Sequence, residues 1–334
     1  MNKYSKIDIH HHIIPSEYIQ ALKEYGISDS AGLNIHSTTA EDSIKFMDAN
    51  NIDIAICSIS EPVTIPFKDK EKASALSRKL NEIEKSYIDK YPTRFGAFAS
   101  LPLPFIEESL EEIHYALDIL KLDGIGLLSN YEDKFLGDPI FDPIFEELNK
   151  RKATVFIHPS VPPKTLPRPY FIMADFVEEF VFNTTRAATN LILSGTLERF
   201  PDIKIILAHA GGTLPYLKFR IENTFKFAKA LSSSNQIKKP LVNERYNSVT
   251  KDVSFYINKF YYDLALSIDN SVYSSLASVT SLNHILFGSD ANYAPPSFPV
   301  EAENSLTTTS GFDKETISNI FFNNSLELFS RFKK

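Results

Sequence analysis

The sequence predicts a (β/α)8 barrel, also called a TIM barrel, on three observations. Eight short apolar runs recur along the 334 residues, and several are almost continuously apolar, as in parallel strands covered on both faces. Segments with helical periodicity lie between these runs, so strand and helix alternate along the chain. A chain of this length can form one undivided barrel, so we expect a single domain over residues 1–334. A doubly wound open sheet is the alternative, because strand pairing cannot be read from one sequence.

The eight predicted strands are spread over the whole chain. They are Lys6–His10, Ile54–Ile59, Phe95–Ser100, Gly124–Leu128, Thr154–His158, Lys204–His209, Phe260–Ala265 and Ile285–Asp290.

Four helices are predicted most clearly between the strands. Ala40–Asn51 follows Ser37–Thr39, whose hydroxyls can cap the first turn. Lys70–Pro92 carries apolar residues at spacings of three and four, and Ile106–Lys121 and Asp142–Lys152 follow the same pattern.

Two connections are longer than a barrel requires. They are Pro159–Pro201 after the fifth strand and Phe225–Asn258 after the sixth. The first opens with the proline-rich tract Pro162–Phe171, which we expect to lie over the barrel mouth as a lid, with Phe171 as one wall of a pocket.

Composition excludes several classes of protein. The formal charge of −7, without clustered Lys and Arg, argues against a nucleic-acid partner. The single cysteine, Cys57, lies in an apolar run and is expected to be buried, so no disulfide framework forms. Since neither a signal peptide nor a membrane span is recognisable, we expect a soluble cytoplasmic protein without membrane contacts.

Three consecutive histidines end the first predicted strand. Side chains on a strand alternate between its faces, so His10 and His12 share one side while His11 points the opposite way. The same alternation places Asp8 with His10 and His12. The sequence therefore predicts a chelating pair, His10 and His12, with His11 in a structural role.

Further histidines and an aspartate occur where other strands end. His158 and His209 close the fifth and sixth predicted strands, and Asp290 closes the eighth. In a barrel these carboxyl ends meet at one rim, where catalytic groups gather. Buried polar groups need partners, so we expect these side chains to meet one another rather than to pack singly. We expect no role in catalysis for the remaining histidines, His36, His114 and His284.

These motifs resemble a known family. DIHHH (8–12), FIHPS (156–160), LAHAGG (207–212) and FGSD (287–290) are similar to the amidohydrolase superfamily, in its single-metal branch related to aminocarboxymuconate semialdehyde decarboxylase. Within that branch, residues 123–131, 141–149, 184–217 and 288–295 look most like the 6-methylsalicylate decarboxylases. The similarity runs along nearly the whole chain.

The resemblance implies a metal site and its ligands. His10, His12, His158 and Asp290 would hold one divalent ion, and His209 would stand beside it as acid/base, with either Asp290 or His209 supplying the proton. Many members of the superfamily bridge two metals with a modified lysine after the fourth strand, where this chain reads GIGLLSN, so we expect a mononuclear site. Three imidazoles and one carboxylate suit Zn²⁺ best, with Mn²⁺ as the alternative.

Two chemistries fit such a site. The resemblance favours a carbon–carbon lyase, a decarboxylase of a hydroxybenzoate such as 6-methylsalicylate, in which a ring carbon is protonated before CO2 leaves. The alternative is a hydrolase of a lactone or related carbonyl compound, in which the metal activates water. A non-catalytic binding protein is a third hypothesis. It is disfavoured because every expected metal ligand is present.

Substrate contacts and assembly follow from the same resemblance. Arg220 matches an arginine that meets substrate in related decarboxylases, sometimes from the neighbouring subunit; Arg186 and Tyr293 are further substrate-binding candidates. Some relatives grip a second carboxylate with an early arginine, and the segment from His36 to Asn51 has none. We therefore expect a small aromatic substrate with one carboxylate, and a homodimer.

Overall fold

The computed structural model describes residues 4–163, 174–231 and 248–333, and its centre is an eight-stranded sheet. All strand pairs in this sheet are parallel, and neighbours in the sheet follow chain order. The strands are β1 (Lys6–Ile13), β2 (Ile52–Ile59), β3 (Phe95–Ala99), β4 (Gly124–Leu128), β5 (Thr154–His158), β6 (Lys204–Leu207), β7 (Tyr261–Asp263) and β8 (Ile285–Leu286).

Hydrogen bonds between the first and last strands close the sheet into a barrel. The Ile9 amide donates to the Phe287 carbonyl at 3.1 Å, and the Asp290 amide donates to the His10 carbonyl at 2.9 Å. A parallel bridge between His11 and Ala291 continues this pairing beyond β8. The predicted (β/α)8 barrel is therefore confirmed, and the open doubly wound sheet is excluded.

Helices surround the strands. Within the described residues they are α1 (Ser16–Glu24), α2 (Ala40–Asn50), α3 (Lys70–Lys90), α4 (Ile106–His114), α5 (Asp142–Lys150), α6 (Glu179–Leu193), α7 (Thr196–Arg199), α8 (Leu214–Leu231), α9 (Val253–Lys259), α10 (Asn270–Ala277), α11 (Phe298–Thr309), α12 (Lys314–Ser318) and α13 (Asn324–Leu328).

The four predicted helices are present. The expected cap of α2 is Thr39, whose side chain accepts from the Asp42 amide at 3.2 Å while Asp42 bonds back to the Thr39 amide. The prediction of one continuous helix over residues 106–121 is wrong in its second half, where the α-helix gives way to a π-helical turn at Tyr115–Ile119.

Two sequence predictions about strand ends need correction. His209 and Asp290 lie beyond their strands, since β6 ends at Leu207 and β8 at Leu286. Both residues adopt a left-handed backbone, each with φ of 54°, outside the range of regular β-strand residues. The apolar runs predicted where these strands lie, but not where their hydrogen bonding stops.

The core has two layers. The larger layer lies between the strands and the outer helices and includes Cys57, which is buried as predicted. The smaller cluster contains Ile7, Ile9, Phe98 and Phe156 and belongs to the barrel interior. Among the described residues, no helix is both long and apolar enough to cross a membrane.

Candidate metal centre

A bulge in β1 decides which of its polar side chains face the barrel interior. Between Asp8 and His11 the strand advances three residues while β2 advances only two, from Ala55 to Cys57. The extra residue puts both Ile9 and His10 on the inner side, because Ile9 joins the interior cluster and the His10 ring packs on Phe156 at 5.0 Å.

The bulge confirms one prediction about β1 and overturns another. His10 and His12 lie together, with their Nε2 atoms 3.0 Å apart. Asp8, however, does not accompany them: its carboxylate accepts a hydrogen bond from His11 Nδ1 at 3.0 Å. Regular alternation of side chains, which the prediction assumed, fails at the inserted residue.

His158 and Asp290 complete a cluster of four buried side chains with His10 and His12. Asp290 Oδ1 lies 3.4 Å from Nε2 of both His10 and His12. The His158 ring is 5.1 Å from His10 and 4.8 Å from His12, measured between centroids. One donor atom from each of the four residues lies within 4.8 Å of all the others.

The donor set fits one divalent ion. Donors that bind the same ion at about 2.1 Å lie roughly 3 to 4.2 Å from one another, close to the separations in this cluster. The outer ring nitrogens are already engaged: His10 Nδ1 donates to Asp263 Oδ2 at 2.8 Å, and His158 Nδ1 donates to the Pro159 carbonyl at 2.7 Å. The Nε2 lone pairs of both rings therefore point to the common centre, as metal ligands require.

The electrostatics of the cluster also favour a cation. Burial alone lowers the pKa of His10, but the carboxylates of Asp263 and Asp290 outweigh burial and raise that pKa to about 10. Burial opposes the charge on Asp290, yet nearby His10 holds the pKa of Asp290 well below its usual range. Burial and neighbouring imidazoles lower the pKa of His158. The carboxylates that raise the pKa of His10 supply negative charge, and the neutral His158 supplies a lone pair. Both are what a metal cation requires.

His209 lies beside this cluster. Its ring centroid is 5.0 Å from that of His10 and 5.7 Å from that of His158. His209 Nδ1 donates to the Ala265 carbonyl at 3.0 Å, which leaves Nε2 as the nitrogen free to exchange a proton. His209 therefore lies beside the four-donor cluster with one ring nitrogen available, and its role as acid/base stays a prediction.

Asp263, at the end of β7, supports both histidines and was missed by sequence reasoning. One carboxylate oxygen accepts from His10 Nδ1, and the other accepts from the backbone amides of His209 and Ala265, both at 2.9 Å. Asp263, His10 and His209 form a second group of close donors, but both Asp263 oxygens are engaged in these bonds. Asp263 therefore orients the site, as carboxylates behind metal-binding histidines do.

Close packing around His10 explains a glycine in the FGSD motif. A Cβ added to Gly288 would lie 2.7 Å from Cβ of His10 and 3.3 Å from Cβ of Asp263. Only glycine lets the segment after β8 approach β1 and β7 at this point.

A cavity of about 430 Å³ opens onto the cluster. His158, His209 and Asp290 contribute to its wall. The cavity also has an apolar part and a polar part. The apolar part includes Leu33, Phe176, Val177, Phe180, Val181 and Leu266, and the polar part includes Ser30, Ser60, Glu61, Ser267 and Tyr293.

The three predicted substrate contacts lie in different places. Tyr293 lines the cavity, with its ring 5.3 Å from that of His12 and its hydroxyl donating to Ser60 Oγ at 2.7 Å. Arg186 lies on α6, where it donates to Asn183 at 2.6 Å and is 3.6 Å from the Glu179 carboxylate. Arg220 is exposed on α8. Neither arginine lines the cavity within this chain, and their roles toward substrate stay predictions.

Two further features of the cavity were missed. A short antiparallel hairpin, Asp29–Ser30 with Leu33–Asn34, contributes Ser30 and Leu33 to the wall. Glu61, directly after β2, is buried in the same wall. Its position, an acidic residue directly after an apolar strand, could have identified it from the sequence. Of the expected lid tract, residues 164–171, including Phe171, lie outside the described residues.

Known proteins are similar to this chain over most of its length. Decarboxylase yanB of Aspergillus niger is 38% identical over 312 residues, which cover 87% of this chain and 78% of that protein. The 6-methylsalicylic acid decarboxylase acuB of Aspergillus aculeatus is 34% identical over 343 residues, covering 98% and 97% of the two chains.

Solved structures share the fold. A crystal structure of an amidohydrolase II has a TM-score of 0.86 at 28% identity and covers 98% of this chain and 100% of its own. A dihydroxybenzoic acid decarboxylase from Polaromonas sp. JS666, solved with manganese and the inhibitor 2-nitroresorcinol, has a TM-score of 0.79 at 21% identity, covering 99% and 98%.

The family model described as amidohydrolase matches residues 7–331, almost the whole chain. This match accounts for the strand order, for the four-donor cluster and for the pair His10 and His12 in β1. This chain belongs to the amidohydrolase superfamily, in the branch whose members are named decarboxylases.

Proposed function

We propose that this protein is a metal-dependent, non-oxidative decarboxylase of a hydroxybenzoate of the 6-methylsalicylate type. The observation that carries the proposal is the cavity, in which a polar cluster suited to a cation meets an apolar wall suited to a substituted aromatic ring. The names of the relatives, at 38% and 34% identity, support the same reaction.

His10, His12, His158 and Asp290 would hold the ion, and Asp263 would keep His10 in the orientation that binding needs. A divalent cation bound there would supply a Lewis acid that orients the carboxylate and ortho hydroxyl of the substrate and offsets their negative charge. The imidazole-rich set favours Zn²⁺, with Mn²⁺ as the alternative because one structural neighbour binds it.

The chain's own residues would carry the proton. His209, assisted by Asp290, delivers a proton to the ring carbon that bears the carboxylate. The bond from that carbon to the carboxylate then breaks, its electron pair restores the aromatic ring, and CO2 leaves. One proton is consumed for each CO2 released, so His209 must be reprotonated in every cycle.

The apolar part of the cavity would hold the ring and its alkyl substituent. Phe180 packs edge-on against His158 at 5.8 Å, so a ring held by the cluster would also meet this side chain. Tyr293, which lines the cavity near His12, would provide a second aromatic contact.

We also propose that the single domain assembles as a homodimer through α8. Tyr216, Phe219 and Phe227 are 83%, 78% and 63% exposed, and their spacing places them on one face of this helix, beside Arg220. Exposed aromatic residues and arginine are typical of protein interfaces. No Lys or Arg is among the described residues that line the cavity, and Arg220 from a second copy would supply one.

A charge-reversal variant tests the dimer. Phe219→Glu is expected to shift the protein from dimer to monomer in sedimentation equilibrium, whereas Lys79→Glu, on the exposed surface of α3, leaves the mass unchanged. A wild-type protein that sediments as a monomer would disprove the dimer but not the reaction.

The reaction is tested by assaying metal-loaded protein against two panels of compounds. Hydroxybenzoates are followed by CO2 release and lactones by ring opening, with metal content measured on the same sample. We expect CO2 and the corresponding phenol from at least one alkyl-substituted salicylate. If lactones are cleaved and no hydroxybenzoate releases CO2, the protein is a hydrolase and the decarboxylase proposal is wrong.

A further inference from the structure

Glu61 is a buried carboxyl group in the wall of the substrate cavity that the proposed reaction does not use. Its residue is only 3% exposed, yet it borders the cavity together with Ser30, Ser60 and Tyr293. It lies directly after β2, at the same rim of the barrel as the metal cluster.

The hydrogen bonds of Glu61 leave one carboxylate oxygen poorly satisfied. Oε1 accepts from Ser160 Oγ at 3.1 Å and from the Val161 amide at 3.4 Å. Among the described residues, Oε2 accepts only from Ser30 Oγ, at 3.3 Å, and that hydroxyl makes its shorter bond, 2.8 Å, to the backbone carbonyl of Glu61. A carboxylate offers about four acceptor positions, so Oε2 retains capacity for a further donor.

No cation compensates the burial of this group within the described residues. Burial raises the pKa of Glu61 to about 7, against the lowering effect of Val161 and Ser160, and Asp175 adds a further negative charge nearby. An uncompensated buried carboxyl costs stability. Anchoring the hairpin at Ser30 does not require this cost, because the Glu61 backbone carbonyl already accepts the Ser30 hydroxyl.

The lining of the cavity combines two kinds of side chain. Phe180 and Leu266 offer only apolar contact, which suits an alkyl substituent. Glu61 offers a buried acceptor, for which a missing hydrogen-bond donor is costly and by which a second negative charge is repelled. An apolar substituent placed against Glu61 would leave its carboxyl unpaired.

We propose that Glu61 is a specificity-determining residue: it accepts a hydrogen bond from a ring hydroxyl of the substrate other than the one beside the carboxylate. The inference rests on the proposed function and narrows its substrate class. The favoured substrate is a monocarboxylic dihydroxybenzoate that carries its alkyl group toward the apolar side. A benzoate with a second carboxylate at the Glu61 side is rejected.

The test uses matched pairs of substrates on metal-loaded full-length protein. At each of ring positions 3 to 6 of salicylate, the kcat/KM for the hydroxyl compound is divided by that for the methyl compound. At pH 8, where Glu61 with a pKa of about 7 is mostly ionised, we expect the wild type to prefer the hydroxyl by roughly 10- to 100-fold at one position, as a hydrogen bond to a charged group allows. Glu61→Leu should abolish this preference, and Glu61→Gln should reduce it, because an amide NH2 would replace one acceptor oxygen.

Glu84→Leu is the matched control. It makes the same change at a buried glutamate of α3 that does not border the cavity, so it should preserve the wild-type ratio. Because each ratio is taken within one variant, a general loss of fold or metal cancels. If Glu61→Leu keeps the wild-type ratio at every position, or if the wild type prefers methyl throughout, Glu61 is a structural residue and the proposal is wrong.

A binding measurement separates this inference from the proposed reaction. Dissociation constants of 2-nitrophenols that carry a hydroxyl or a methyl at the same position are measured by calorimetry, since these compounds cannot lose CO2. A wild-type preference for hydroxyl that disappears in Glu61→Leu supports the role of Glu61 even if no benzoate is decarboxylated. Decarboxylation with an unchanged binding ratio would instead retain the reaction and overturn the role of Glu61.

Discussion

The two sides of β1 contain the same chemical pair in different surroundings. On the inner side, His10 donates through Nδ1 to Asp263, and on the outer side His11 donates through Nδ1 to Asp8. The second nitrogen of His11 meets the Ser43 hydroxyl of α2 at 3.1 Å, so the outer pair is complete. The second nitrogen of His10 faces two other imidazoles and a carboxylate. A buried histidine is thus a candidate ligand only when its free nitrogen points to a shared space.

Buried glutamates repeat this contrast. Glu61 borders the cavity, and its Oε2 can accept a further hydrogen bond. Glu84, on α3 in the outer layer, is also buried, and neither of its carboxylate oxygens has a hydrogen-bond partner in the part of the chain that the structure describes. Glu84 does not border the substrate cavity, so its unpaired carboxyl is a cost to stability without a ligand to offset it.

The largest expected effect is on the inner side. His158→Ala should lose bound metal and all measurable turnover together, because one of four donors disappears from a buried site. Metal content after dialysis and CO2 release are measured on the same sample. Full activity in this variant, or in chelator-treated wild type, would show that the reaction does not depend on a metal ion.

His209→Ala should separate metal binding from turnover. His209 lies beside the cluster rather than within the four-donor set, so the metal should stay while kcat falls by about 100- to 10,000-fold. Metal content near one ion per chain, with lost turnover, is the expected result. If the metal leaves as well, His209 is a ligand and its assignment as acid/base is wrong.

Asp263→Asn sharpens the comparison between the two Asp–His pairs. Loss of the carboxylate behind His10 should weaken metal affinity by about 10- to 100-fold, measured by competition with a chelating dye. The matched variant on the outer side is His11→Asn. It should lower the free energy of unfolding by about 1 to 3 kcal/mol, because Asp8 and Ser43 lose a partner, and leave metal affinity unchanged. Equal effects on affinity would show that the two pairs are not functionally distinct.

Strand β1 shows which features could be predicted from the sequence and which could not. The apolar runs predicted all eight strands, because buried parallel strands have a strong local signature. The pairing of His10 with His12 followed from alternation, but the bulge that moved Asp8 to the other side leaves no local signal. Asp263 is 253 positions from His10, so its role appears only when the fold brings the carboxyl ends of β7 and β1 together at one rim of the barrel. Glu61 could be placed after a strand, but its burial in the cavity wall depends on the hairpin packed against it.

The smallest effect is expected in the outer layer. Burial raises the pKa of Glu84 well above its usual value, with Asp123 adding to the shift, so the folded protein keeps a proton that the unfolded chain releases near pH 4.3. Stability therefore falls as pH rises above that value toward the folded pKa. Glu84→Met should raise the free energy of unfolding by about 1 to 2 kcal/mol at pH 8 and by less at pH 5.

The control for Glu84 is Glu71→Met, the same change at an exposed position of α3, expected to change stability by less than about 0.5 kcal/mol. Urea denaturation at the two pH values measures both variants. A Glu84→Met protein less stable than wild type at pH 8 would mean that the buried carboxyl has a stabilising partner.

The central claim is that His10, His12, His158 and Asp290 surround one divalent ion. A crystal structure of metal-loaded protein, with anomalous data collected at the absorption edge of the ion, tests it most directly. We predict one anomalous peak per chain, within about 2.3 Å of Nε2 of the three histidines and of an Asp290 oxygen. A peak elsewhere in the chain, a second ion bridged to the first, or no ion at this cluster under saturating metal would contradict it.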